Sequence, residues 1–216
     1  MKALLRKIIV TVKVMVIIMV IAMITVTAFN PFLNNQINGM VVMEKTEQQP
    51  VFLSLKEAQS CAYQGFIKNS WAFPPKLASA MTHTQSSLPL LVQRTDRKDA
   101  YFYYIVPFNR AGKTAVLVLI DAHNGDFKEA SYMQEPTLYP RVKEEDALQI
   151  LTAFLKKNNT PIPAKVEKPV LVFEPCEQTQ SPYEPLWKIR VNASVWFVDQ
   201  LGNVYDKIMQ SKLKGG

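Results

Sequence analysis

The sequence predicts an α+β protein: an N-terminal transmembrane helix followed by two tandem units, each a helix on an antiparallel sheet. Three observations carry that expectation. An apolar run over residues 8–29 stands apart from the rest of the chain. The stretch 101–130, YFYYIVPFNRAGKTAVLVLIDAHNGDFKEA, reads as two long strands and the start of a third, with turns at 109–113 and 122–125. Amphipathic helical patterns near 55–69 and within 141–159 each precede a set of strands. With 216 residues, 48% of them hydrophobic, the chain is long enough for one or two modest cores.

Residues 1–29 form the first segment, a signal anchor. The run 8–29 is about 22 residues, roughly 33 Å as a helix, against a hydrocarbon core of ~30 Å. Lys13 lies near one end, where its stem reaches the headgroups. Lys2, Arg6 and Lys7 precede the run and no basic residue follows it until Lys45. That bias places the N-terminus in the cytoplasm and the remainder outside, a single-pass protein of a bacterial cytoplasmic membrane. The alternative is a signal peptide cut after Ala28, which releases the same domain outside the membrane. Lys2, Arg6, Lys7 and Lys13 belong to this segment, and the other basic residues come close to balancing the 18 acidic ones. Thinly spread cations give no nucleic-acid footprint.

Residues 30–53, with Pro31, Asn34-Asn35, Asn38-Gly39 and a polar EKTEQQP run, read as a juxtamembrane linker containing a short strand at 40–43. The first unit spans 54–135. Ser54 and Glu57 make a capping box, and Leu55, Ala58, Ala62 and Phe66 follow at helical spacing. Pro74-Pro75 interrupts, 76–87 reads as a loop or short helix, and a strand is expected at 88–94 before the central hairpin. There Asp121, Asn124 and Gly125 form the turn signature: Gly accepts positive φ, Asn tolerates it, and the Asp carboxylate accepts from turn amides.

The second unit spans 136–210. Its helix has acids in the early turns and lysines in the last, as the helix dipole prefers, with Ala147, Ile150, Leu151, Phe154 and Leu155 as one apolar stripe. Strands are expected at 170–174, 186–191 and 195–198, and 211–216 as a disordered tail. The two halves repeat one order: helix, strand, long strand, strand ending in Asp, turn, short strand. Asp199 and Gly202 answer Asp121 and Gly125, in a turn one residue shorter.

At these residues the chain resembles PepSY-type domains, whose ending is a strand, an Asp, a turn with Gly and a final short strand. The resemblance covers roughly 54–131 and 143–209. It departs from the family in an insertion at 71–87 and a proline-rich loop at 175–185. It implies a helix packed on an antiparallel sheet, outside the cytoplasm, in modules that bind or restrain proteases or other envelope proteins and have no chemistry of their own.

Catalytic and cofactor motifs are missing from the sequence. His83 and His123 are the only histidines, with no HExxH, GxSxG, P-loop or GxGxxG pattern. Cys61 and Cys176 lack CxxC spacing and read as free thiols, one per unit, with a long-range disulfide as the alternative. No cofactor or metal is expected. Residues 116–120 are apolar on both faces of their strand, so the other repeat, the 71–87 insertion or a partner must cover the second face. Pro107 cannot donate to a ladder, which places its strand at an edge or bulge and makes Tyr101, Tyr103 and Phe108 the candidate partner surface. The expected function is a membrane-anchored extracytoplasmic binding or regulatory module taking a protein or peptide. A structural component of an envelope complex and a hydrolase with a serine and lysine pair are the alternatives.

The topology has a direct test. A reporter active only outside the cytoplasm, fused after Ile37, is expected to be active; an inactive fusion reverses the orientation.

Overall fold

The computed structural model describes residues 50–99, 101–161 and 166–209. The anchor, the linker strand at 40–43 and the tail at 211–216 lie outside the described residues. Among the described residues no helix is long and apolar enough to cross a membrane. The fold is α+β, with one large mixed sheet and few helices.

Helix α1 (Leu55–Asn69) begins at the expected box: the Glu57 amide donates to Ser54 Oγ at 3.3 Å, and the Ser54 amide to the Glu57 carboxylate at 2.8 Å. Those bonds hold the Glu57 carboxyl below its usual range. A 3₁₀ turn (Ser70–Ala72) leads to α2 (Pro75–Met81), which starts on Pro75 because proline lacks the N–H that a helix N-terminus leaves free. After β1 (Gln85–Ser86) and β2 (Leu90–Arg94) comes the central meander, β3 (Tyr101–Arg110), β4 (Lys113–Asp121) and β5 (Phe127–Thr137). Helix α3 (Glu144–Lys157) precedes β6 (Val170–Phe173), β7 (Leu186–Val191), β8 (Ser194–Val198) and β9 (Val204–Tyr205).

The two separate sheets expected from the sequence are one. The strand order is β5-β4-β3-β2-β6-β7-β8-β9, with β1 beside β3. Every pairing between named strands is antiparallel except the central one. There β2 runs parallel to β6, with Val92 opposite Leu171 and Arg94 opposite Phe173. A parallel pair needs a long crossover between its strands, and here everything from β3 to α3 supplies it.

β4 is buried along almost its whole length, from Thr114 to Asp121. On one face Val116, Val118 and Ile120 meet Ala58, Ala62 and Phe66 of α1 and Leu77 and Met81 of α2. On the other, Leu117 and Leu119 share a cluster with Tyr103, Val142, Trp187 and the α3 residues Ala147, Leu151 and Leu155. The 71–87 insertion thus joins α1 on the first face, and the second half of the chain covers the other. Each such Val, Leu or Ile contributes about 1.5–3 kcal/mol relative to exposure. A third cluster, Val172, Cys176, Leu186 and Phe197, lies over β6–β8.

Pro107 sits inside the sheet rather than at an edge, opposite Leu117 of β4. Its carbonyl accepts from the Ser87 amide at 2.7 Å, so its nitrogen also points away from β4, toward the break between β1 and β2. No ladder donor is needed at that break, which is why proline is tolerated there. A register shift follows at Phe108/Asn109.

Both Asp–turn–Gly ends form. Asp121 Oδ1 accepts from the His123 and Asn124 amides at 2.9 and 3.3 Å; Asp199 Oδ1 accepts from the Leu201 and Asn203 amides, each at 2.8 Å. Gly125 and Gly202 have φ of +77° and +86°. They differ in crowding. A Cβ on Gly125 would lie 2.6 Å from Cys61 Sγ, whereas one on Gly202 would meet only Ile150 Cδ1 at 3.5 Å. Gly125→Ala is therefore expected to destabilise more than Gly202→Ala in urea unfolding. Positive φ costs each about 1 kcal/mol, and only the first adds a clash; equal losses would mean that α1 yields freely at Cys61.

Candidate functional site

The loop between β6 and β7 closes over the face of β3 and β4 that α1 leaves open. Two tyrosine hydroxyls hold it there. Tyr103 on β3 donates to the Pro182 carbonyl at 2.8 Å, and Tyr139, past the end of β5, donates to the Tyr183 carbonyl at 2.7 Å. Below them Trp187 Nε1 donates to the Val142 carbonyl at 2.8 Å, and Gln200 bridges the Val142 amide and the Pro185 carbonyl. Burial raises the pKa of both the Tyr103 and the Tyr139 hydroxyls, so both remain donors.

The loop leaves a cleft on each side. The first, about 360 Å³, is bordered by Arg94, Arg97, Tyr101, Lys128 and Pro182. Its three cations suggest an anion site, but each has a carboxylate of its own. Arg94 binds Asp96 through two bonds of 2.9 and 2.7 Å while lying over the Phe173 ring. Arg97 binds Asp99 at 3.1 and 3.2 Å and lies 4.8 Å over Tyr101. Lys128 Nζ stands 3.8 Å from Asp121. An anion entering here would displace these partners, so the cleft is a weak anion receptor.

The second cleft, about 440 Å³, lies beside β5, between Ser131–Glu135 and the residues Tyr139, Tyr183, Glu184 and Gln200, with Leu117 as floor. β5 pairs only with β4, so its outer side is a free edge among the described residues. The direction of its amides follows from Pro107. Because the polar groups of Pro107 point away from β4, those of its partner Leu117 point to β5. Ser131 therefore bonds Leu117, and the alternate residues Ala130 and Tyr132 turn their N–H and C=O groups to the open side. The opposite edge of the sheet, β9, is only two residues long.

The predicted partner residues fare unevenly. Tyr103 and Phe108 are each 2% exposed, so neither can offer a surface. Phe108 lies under α1 and α2, and Tyr103 holds the loop. Tyr101 is half-buried in the first cleft. Asp121, Asn124, Gly125, Asp199 and Gly202 are turn residues, as read from the sequence. His123 is exposed, with Nδ1 3.0 Å from the Val51 carbonyl, which requires the proton on that nitrogen. Cys61 and Cys176 are free thiols in different clusters. Among the described residues no group of three or more His, Cys, Asp or Glu side chains is placed to hold a metal. Nothing in the sequence pointed to the β5 edge, because edge or interior position depends on sheet order.

No family model, no curated protein and no solved structure matches this chain.

Tyr183 differs from its neighbours. Its hydroxyl is the one buried side-chain polar atom without a hydrogen-bond partner among the described residues. Burial raises its pKa, with the charge of Glu129 adding to the shift. Paired substitutions separate the two situations. Tyr103→Phe is expected to cost about 1 kcal/mol at neutral pH by removing a made bond, and Tyr183→Phe to cost nothing or to stabilise slightly. The pH dependence has a fixed sign. Tyrosines whose folded pKa is raised contribute stability that is complete below the unfolded value of about 10 and is lost as pH rises above it. Thermal melts should show that alkaline loss, and Tyr103→Phe should shallow it; an unchanged slope would mean that Tyr103 is not protected as described.

Proposed function

We propose that this chain is a membrane-anchored, extracytoplasmic binding module that takes an extended segment of an envelope protein along the free edge of β5. The observation that carries the reading is the edge itself: outward amides at Ala130 and Tyr132 next to a half-open cleft of about 440 Å³. Strand addition draws affinity from main-chain bonds and specificity from pockets for alternate side chains, and this edge has both. Its ends are blunted by register shifts at Thr114/Val116 and Leu119/Ile120, by Lys128 and by Pro136. Such devices guard against indiscriminate pairing and leave 129–132 as the regular stretch.

The tandem PepSY-like reading is part of this proposal, and the sheet supports it. Each half is a helix followed by four strands in an antiparallel meander: α1 with β2–β5, α3 with β6–β9. A two-fold rotation about an axis along the strands, between β2 and β6, exchanges matching strands. Such a rotation preserves strand direction and swaps the faces of the sheet. It accounts together for the parallel central pair and for α1 and α3 lying on opposite faces. The anchor at 8–29 rests on the sequence reasoning alone, and a role in restraining or presenting a protease or other envelope protein comes from the resemblance.

Photo-crosslinking in native membranes tests the site. A photoreactive residue at Gln134, exposed on β5, should give a crosslinked product that one at Ala153, exposed on α3, does not. Ala130→Pro, which deletes one outward donor, should diminish that product while the thermal melt stays cooperative. Equal products from both positions, or one indifferent to Ala130→Pro, would remove the β5 edge from consideration.

A further inference from the structure

Four of the exposed large apolar side chains among the described residues, Tyr63, Ile67, Trp71 and Leu88, fall on one flank of α1 and the turns that follow it. Tyr63 and Ile67 come one residue after Ala62 and Phe66, hence about 100° around the helix from the buried face. They are 48% and 50% exposed, and Trp71, in the next turn, is 85% exposed. The Gln59 side chain donates to the Ser87 carbonyl at 2.8 Å, which brings Leu88, 63% exposed, to the same flank. A tryptophan this open is costly in water and carries no load in the fold.

Within the segment that carries this flank the charges are nearly of one sign. From Ser54 to Arg94 the only acidic residue is Glu57, whose carboxylate is engaged by the Ser54 cap, while Lys56, Lys68 and Lys76 are exposed cations. Chain connectivity adds a third fact. Leu53 is held on the β4 end by its amide, 2.9 Å from the Ala122 carbonyl, and α1 starts directly after it. The apolar run at 8–29 ends about 20 residues before Pro50, a tether that spans no more than ~70 Å even when extended.

From these facts we infer that the Tyr63–Ile67–Trp71 flank of α1 docks on the anionic surface of the bilayer that holds the N-terminal run. Tryptophan and tyrosine favour the headgroup level, where an apolar ring and a polar edge are both satisfied. Lysines beside them reach anionic headgroups, each worth about 1 kcal/mol near a charged surface. A tether of this length supplies a high effective concentration, so a weak contact suffices to fix orientation. Docking through this flank puts α1 against the membrane and leaves β5, at the sheet edge, open to a partner. The inference rests on the reading of 8–29 as an anchor.

Trp71 is its own probe, because Trp187 is buried and Trp196 is packed against Phe154. The full chain would be reconstituted into vesicles of phosphatidylcholine and phosphatidylglycerol, with or without bromine on the acyl chains close to the headgroup. The Trp71 component is the difference between the parent and Trp71→Phe. Brominated lipid should abolish most of that component, and the combined Lys56→Glu, Lys68→Glu and Lys76→Glu variant should restore it. If the chain floats with the vesicles but Trp71 stays unquenched, docking is wrong and the anchor stands. If the chain fails to float, the anchor reading fails and docking falls with it. An unquenched Trp71 together with a protein crosslink from a photoreactive residue at Tyr63 in native membranes would assign the flank to a protein and overturn the lipid assignment.

Discussion

The parallel pairing of β2 with β6 is the constraint from which the rest of this structure follows. It is short, running from Val92 opposite Leu171 to Arg94 opposite Phe173, and Thr95 extends it by donating to the Phe173 carbonyl and to Glu174. Two antiparallel meanders joined edge to edge in this way form one sheet, and their helices lie on opposite faces of it. Each helix covers only its own half. The face of the first half that α1 leaves open then needs another element, and the chain answers with the β6–β7 loop and the segment from Tyr139 to Val142, while α2 adds to the cover on the α1 side.

That second layer of cover is polar in its attachments and apolar in its content. Leu117, Leu119 and Trp187 supply buried area, while Tyr103, Tyr139, Trp187 and Gln200 satisfy the backbone groups of loops that would otherwise be buried without partners. Buried polar groups with good partners specify one arrangement more strongly than apolar contact alone. Tyr183, left unpartnered next to the β5 cleft, is the exception in this layer. Two surfaces escape the cover: the outer edge of β5 and the outer flank of α1.

Much of the architecture was legible in the residues because it depends on neighbours in sequence. The Ser54/Glu57 box starts α1, the alternation and turn residues define the β3–β4–β5 meander, and Asp121 with Gly125 and Asp199 with Gly202 mark matching strand ends. Capping, turn geometry and helical stripes act over a few residues, so their signals survive without tertiary information. The misreadings were all of longer range. Pro107 looked like an edge marker because a proline cannot donate; it sits inside the sheet because β1 and β2 break opposite its nitrogen. Tyr103 and Phe108 looked like a binding surface and are buried, since aromatic residues on a strand read alike whether they meet solvent, a helix or a loop.

By itself, then, the sequence determined the α+β class, the helices and the hairpins, all set by local backbone preferences and the period of apolar residues. Only the tertiary structure decided that the two sheets are one, which faces are covered and that β5 is the long free edge. Those outcomes rest on which strands become neighbours, and β2 and β6 are separated in sequence by three strands and a helix. No local propensity reports on such a pairing, because its energy comes from area buried between segments that the sequence does not place side by side.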